Sequence, residues 1–262
     1  MQLLRNAAFA LFLGTLAAAP LAGIAYAQSS ESARDVVSES RPVEAGIVRV
    51  NVMGPVDLKL RVGATPALTL RGERRVLQEI ATDREGTTLK IQPRSSFNTK
   101  GNIVAELTLP KLEAVRLMGS GDAEISGFSG EQFKLDMMGS GDVRVDAQYQ
   151  EINAGLKGSG DLKLTAGNSE RVELSIFGSG GIVASGKAKA MTAKIMGTGG
   201  INARQLVADS TTVSIFGTGD AQVFAGSTVA VSSRGTGDVV VYGKPTQRAV
   251  SISGTGNVRF QP

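Results

Sequence analysis

The sequence predicts an all-β fold: a parallel β-solenoid with about eight regular coils of 18–20 residues and an irregular N-terminal β cap. Three observations carry this. Gly-Ser/Thr-Gly begins at Gly119, Gly139, Gly158, Gly178, Gly197, Gly217, Gly235 and Gly254, in steps of 20, 19, 20, 19, 20, 18 and 19 residues. Apolar and polar residues alternate on both sides of each tripeptide. Glycine supplies 33 of 262 residues and proline only 8. Average glycine usage is about 7%, so this excess without proline favours regular turns over a disordered linker.

A period near 20 marks units that cannot bury their own apolar face and must stack on one another. Two residues before each tripeptide stand Leu117, Met137, Leu156, Ile176, Ile195, Ile215, Ser233 and Ile252. Four residues before it stand Val115, Leu135, Ala154, Leu174, Ala193, Val213, Val231 and Val250. After it come pairs such as Val143/Val145, Leu162/Leu164 and Val239/Val241. The positions between them are mostly polar, as at Lys134, Asp136, Arg144 and Lys163. Period-two alternation over five or six residues is a strand pattern. Each unit therefore holds two short strands, one on either side of a glycine corner, with a second turn elsewhere. Equivalent residues then stack at about 4.8 Å, and the glycines share the parity of the inward residues, where a bend leaves no room for a side chain.

Before Gly119 the grammar is less regular. "GPVDLKL" (Gly54–Leu60) repeats the pattern of "GSGDVRV" and reads as an early coil, "TTLKIQP" and "IVAELTLP" read as strands, and "ERRVLQEI" (Glu73–Ile80) as a short helical turn. Irregular coils at one end are what a cap requires, since an open end would template aggregation. The regular repeats fill 119–262, the cap and early coils 46–118, and both form a single domain. Residues Gln28–Ala45, rich in Ser, Glu and Arg, read as a flexible tether.

The first 27 residues read as a secretory signal. Arg5 precedes an apolar run from Ala7 to Ala19, and Ala25 and Ala27 form an A-x-A site. The run is too short and too alanine-rich for a membrane span, and no cysteine follows to carry a lipid anchor. The mature chain is expected to be soluble and exported, with no transmembrane segment. Its net charge of +4 falls to about +3 with the loss of Arg5, and no basic-aromatic pattern suggests nucleic acid. Zero His and zero Cys exclude a Ser-His-Asp triad, a cysteine nucleophile, disulfides and ordinary His/Cys zinc sites.

Eight "G[ST]G[DGN]" corners, "GTGGIN" at Gly197–Asn202, the "GPVDLKL" segment and the lead-in "LTLPKLEAVRLMGSGD" resemble the putative auto-transporter adhesin head, or GIN-domain, family. The resemblance runs from about Val43 to Phe260. It implies a secreted, right-handed β-solenoid-like domain of bacterial envelopes, with no catalytic residues to carry over. The chain stops at Pro262 without room for a membrane β-barrel, so periplasmic and cell-surface or extracellular residence stand equally.

Three columns are candidate sites. Four positions into each corner segment stand Asp122, Asp142 and Asp161, then Gly181 and Gly200, then Asp220, Asp238 and Asn257. Stacked carboxylates near 5 Å repel by about 1 kcal/mol in water, which calcium would relieve. The calcium β-roll motif, however, has a nine-residue period, and turn aspartates ordinarily bond the backbone N–H groups of their own turn. The middle corner residues Ser120, Ser140, Ser159, Ser179, Thr198, Thr218, Thr236 and Thr255 form a hydroxyl column, suited either to sugars and ordered water or to bonding between stacked turns. Immediately before the corner stand Met118, Met138, Lys157, Phe177, Met196, Phe216, Arg234 and Ser253. These point outward by parity, so Met118, Met138, Phe177, Met196 and Phe216 form a candidate binding stripe, unless a loop or a twist of the corner covers them.

The expected function is that of a non-enzymatic exported bacterial envelope protein, an adhesin-like binding and structural module using a repetitive solenoid face. No catalytic, cofactor or metal residue is assigned. Expected partners are an envelope protein, a glycan or a second copy. The alternative is a carbohydrate-active lyase or hydrolase using paired Asp residues, which would need one asymmetric acidic site.

Overall fold

The computed structural model describes residues 35–99 and 101–262. The expected signal peptide over residues 1–27 and the start of the expected tether, residues 28–34, lie outside the described residues. The N-terminal part comprises β1 (Val36–Arg41), β2 (Arg49–Met53), β3 (Val56–Val62), β4 (Ala67–Glu73), the short helix α1 (Arg74–Leu77), β5 (Ile80–Glu85), β6 (Thr88–Pro93), β7 (Ile103–Leu109) and β8 (Ala114–Gly119). Five long strands follow: β9 (Ala123–Gly139), β10 (Val143–Gly158), β11 (Leu162–Gly178), β12 (Gly181–Gly197) and β13 (Gly200–Gly217). The last coils are divided into β14 (Ala221–Phe224), β15 (Thr228–Gly235), β16 (Val239–Tyr242), β17 (Gln247–Gly254) and β18 (Val258–Gln261). Every strand from β8 to β16 pairs in parallel with its successor one coil later. The chain is thus a parallel β-solenoid of about 7 turns.

The alternation in sequence becomes columns in space. Val115, Leu135, Ala154, Leu174, Ala193, Val213 and Val231 pair successively and are all buried. So are Leu117, Met137, Leu156, Ile176, Ile195 and Ile215, and on the far side of the corner Val143, Leu162, Ile182, Ile201, Ala221 and Val239. These ladders supply the hydrophobic stabilisation that a chain without disulfides requires.

The second turn differs from the expectation of two separate short strands. In β9 to β13 the parallel ladder continues round the second bend, so each coil reads as one strand of 16–18 residues. Register shifts fall at this bend, as at Asp146/Ala147 and Val183/Ser185, while the glycine corners stay in register. The extra residue of each 20-residue coil is absorbed there as a bulge, which bends a strand without ending its pairing. Phe128, Phe133 and Tyr149 fill the interior near this bend. Phe133 and Tyr149 stack with centroids 5.1 Å apart, and the Tyr149 hydroxyl donates to the Leu112 carbonyl at 2.6 Å.

Segment "GPVDLKL" does form an early coil, but the order in space departs from the order in sequence. β2 and β3 lie between two layers, with β8 and β9 on one side and β6 and β7 on the other. Strands running the opposite way then close this end, β5 against β6 and β4 against β7. β1 pairs antiparallel with β4 along its whole length, from Val36↔Glu73 to Arg41↔Leu68. The tether reading is therefore wrong over Val36–Arg41. The segment "VVSESR" is an edge strand whose polar side chains meet water or ion partners: Arg41 bonds Glu39 at 2.8 Å and the Leu77 carbonyl at 3.0 Å. Its polar composition concealed a period-two strand anchored by Val37 against the core.

Candidate functional site

The corner fixes every column beside it. The first glycines of the eight tripeptides have φ between +127° and +150°, a region nearly closed to L-residues. A Cβ on Gly178 would stand 2.3 Å from the Gly158 carbonyl oxygen one coil below. That same oxygen accepts the N–H groups of Ser179 at 3.1 Å and Gly180 at 3.2 Å. Coils approach closely here because neither has a side chain, and the close approach holds the residues before and after the corner in straight lines.

The aspartates occupy one such line, with a bonding pattern different from the one expected. Each carboxylate reaches the next coil rather than its own turn. Asp122 Oδ1 accepts the Asp142 N–H at 2.8 Å, Asp142 Oδ1 that of Asp161 at 3.0 Å, and Asp161 Oδ1 that of Gly181 at 2.8 Å. Asp220 and Asp238 do the same for Asp238 and Asn257 at 2.8 and 2.9 Å. The reason is the parallel stack: the amide of the equivalent residue lies directly above each side chain. The line starts earlier than the repeats suggested, since Asp57 Oδ1 accepts the Asp122 N–H at 3.0 Å. A groove of about 840 Å³ runs beside this line past Lys163, Val183 and Asn202. Among the described residues no group of three or more acidic side chains is placed to hold a metal ion.

The hydroxyl column is exposed at Ser140, Thr198 and Thr218. Its backbone, not its side chains, links the coils: the N–H groups of Ser140, Thr198 and Thr218 each donate to a glycine carbonyl at 3.0–3.1 Å. Ser159 and Ser179 are the one pair of column hydroxyls in contact among the described residues, at 3.5 Å.

The third line stands outside the solenoid. Met118, Met138, Lys157, Phe177, Met196, Phe216, Arg234 and Ser253 pair in succession as neighbouring coils. Met118 and Met138 are half-buried, whereas Phe177, Met196 and Phe216 are 43%, 50% and 49% exposed. No loop of the described residues folds over them. Met53, paired with Met118 and 38% exposed, extends the line by one coil. The sequence hid it because Gly54 opens no Gly-Ser/Thr-Gly tripeptide. The two cations in the line lie against its rings: Lys157 Nζ is 5.8 Å from the Phe177 centroid, and the Arg234 guanidinium carbon is 5.2 Å from that of Phe216.

The model of the putative auto-transporter adhesin, head GIN domain family matches residues 48–180 and 148–245. The chain belongs to this family. Solved structures share its fold. A crystal structure of a putative lipid binding protein from Parabacteroides distasonis is 20% identical with a TM-score of 0.81, covering 87% of this chain and 97% of that one. A putative adhesin from Parabacteroides merdae is 16% identical with the same TM-score and the same coverage. A putative adhesin from Bacteroides fragilis is 19% identical with a TM-score of 0.67, covering 86% and 97%. No curated protein matches the chain. No helix among the described residues is long and apolar enough to cross a membrane.

Proposed function

We propose that this GIN-domain chain is a non-enzymatic, exported envelope protein that binds through the Met/Phe column of its solenoid. The observation that carries this reading is the exposed line of Phe177, Met196 and Phe216 on a regular β face. Large apolar side chains aligned on a surface mark a contact region, and methionine adapts to an irregular partner. The solenoid holds the column in fixed register, so successive contacts add without fresh ordering cost. The family label and the descriptions of the similar structures, adhesin and lipid binding, both speak of binding rather than catalysis. Export is supported by the N-terminal signal pattern and the A-x-A site at Ala25 and Ala27.

The paired-Asp hydrolase reading gains nothing from the geometry. Glycosidic cleavage needs two carboxyl groups with separate tasks on opposite sides of a bond. The aspartates here stack on one side, and those that flank the groove give Oδ1 to the next coil. The test is retention on isolated cell envelopes. Wild-type protein should sediment with them, and Phe177→Ser/Met196→Ser/Phe216→Ser should remain in solution with an unchanged circular dichroism spectrum. Equal retention of the folded triple variant would overturn the binding-edge reading.

A further inference from the structure

The charges beside the apolar column indicate what it meets. At the last three outward positions of the strand that leads into the corner stand Arg116, Lys134, Lys157, Lys194 and Arg234 against Asp136 and Glu173, and one outward position further back Glu151 faces Arg171. Asp136 and Glu173 are both engaged: Asp136 with Arg116 at 3.3 Å and Lys134 at 3.4 Å, and Glu173 with Lys194 at 2.6 Å. Lys157 and Arg234 instead rest their charge against the rings of Phe177 and Phe216. Beyond the corner six aspartates, from Asp57 to Asp238, stand in one line, with Lys59, Arg144 and Lys163 on the next outward line. The solenoid therefore presents one apolar, cationic face and one acidic line.

We propose that the Met/Phe face docks on an anionic lipid surface, a proposal that rests on the binding-edge reading above. The column from Met118 to Arg234 spans six coil steps, about 29 Å at the strand spacing, so it meets a plane rather than filling a pocket. Phe and Met side chains suit the boundary between headgroups and acyl chains. Lysine and arginine lie along such apolar surface while their charged ends reach phosphate. A protein partner would have to present a matching line of carboxylates, whereas an anionic bilayer supplies negative charge continuously and without register.

The test uses vesicles of phosphatidylcholine with and without phosphatidylglycerol at about one lipid in three, which gives the surface a negative potential. The purified protein should sediment with the anionic vesicles, and high salt should release it. Lys157→Glu/Arg234→Glu and Met196→Ser/Phe216→Ser should each weaken binding by at least about tenfold, whereas Lys163→Glu, beyond the corner, should not. Because the chain has no cysteine, a single Met196→Cys variant carries an environment-sensitive dye at one place only. Its emission should shift to the blue on anionic vesicles, and dye on Lys163→Cys should not respond. No sedimentation and no blue shift at 196 would overturn the lipid proposal. If envelope retention is still lost in the triple serine variant, the binding edge stands with a protein partner or a second copy instead.

Discussion

Replacing Gly178 by alanine should damage the solenoid far more than replacing Gly200, although both are glycines of neighbouring corners. Gly178 has φ +146°, and forcing an L-residue there costs about 1–3 kcal/mol. Its new Cβ would stand 2.3 Å from the Gly158 carbonyl oxygen, so the coils must separate locally. That oxygen accepts two backbone N–H groups, from Ser179 and Gly180, and weakening both costs about 1 kcal/mol each. The expected loss is about 3–5 kcal/mol. At Gly200 the nearest atom to an alanine Cβ would be the Asp220 carbonyl oxygen, 3.7 Å away, and the backbone does not lie in the left-handed region. Gly200→Ala should be neutral or stabilise by about 0.4–1 kcal/mol through the unfolded chain. Urea unfolding followed by far-ultraviolet circular dichroism reads both. Hydrogen exchange should place the Gly178→Ala defect at the coils on either side, since each coil touches only its neighbours. Equal midpoints for the two variants would refute the idea that close backbone approach sets the first glycine of the tripeptide.

Asp142→Ala should cost about 1 kcal/mol by removing the acceptor of the Asp161 N–H, while Asp142→Asn keeps a carbonyl oxygen there and should stay within about 0.5 kcal/mol of wild type. Millimolar calcium should leave the thermal midpoint of both unchanged; a calcium-dependent rise lost in Asp142→Asn would contradict the structural role. Ser233 interrupts the inward Ile column, and its buried Oγ has no hydrogen-bond partner. Ser233→Ala should therefore stabilise by about 1 kcal/mol in the same urea titration, and a loss of stability would show that the hydroxyl is satisfied. Burial raises the Tyr149 pKa above its usual value, with the nearby Glu113 carboxylate adding to the shift. The folded state thus holds the phenolic proton more tightly than the unfolded chain. The resulting stability is complete below about pH 10 and declines as pH rises beyond it. Tyr149→Phe should be less stable at neutral pH, having lost the bond to Leu112, yet its stability should fall less steeply above pH 10. Parallel alkaline slopes would refute this.

The columns were legible because a parallel solenoid turns sequence spacing directly into position. Once the corners were aligned, Phe177, Met196 and Phe216 had to be neighbours, and parity placed them outside. What failed were features that spacing does not encode. β1 was obscured by the polar side chains that an edge strand shows to water, as at Ser38 and Ser40. The insertion of β2 and β3 between two layers arises from pairings across 39 to 65 residues, and nothing in the local pattern records their order. Sequence points the aspartates to their own turns because turn chemistry is local, whereas the stack puts the next coil's amide within reach. The second bend resembles a separate turn because bulges at Gly127 and at Ala203/Arg204 break the alternation without breaking the ladder. Met53 carries no sequence signal because its corner, Gly54-Pro55-Val56, lacks the tripeptide that identifies the others.

The most direct test of the binding edge is photo-crosslinking inside cells. A photoreactive residue replaces Phe177 in one strain and Lys163, beyond the corner, in another, and the products are identified by mass spectrometry. Position 177 should yield a specific adduct to lipid or to an envelope component, and position 163 should yield none. An unmodified monomer from position 177, or the same adduct from both positions, would contradict a function carried by the Met/Phe column.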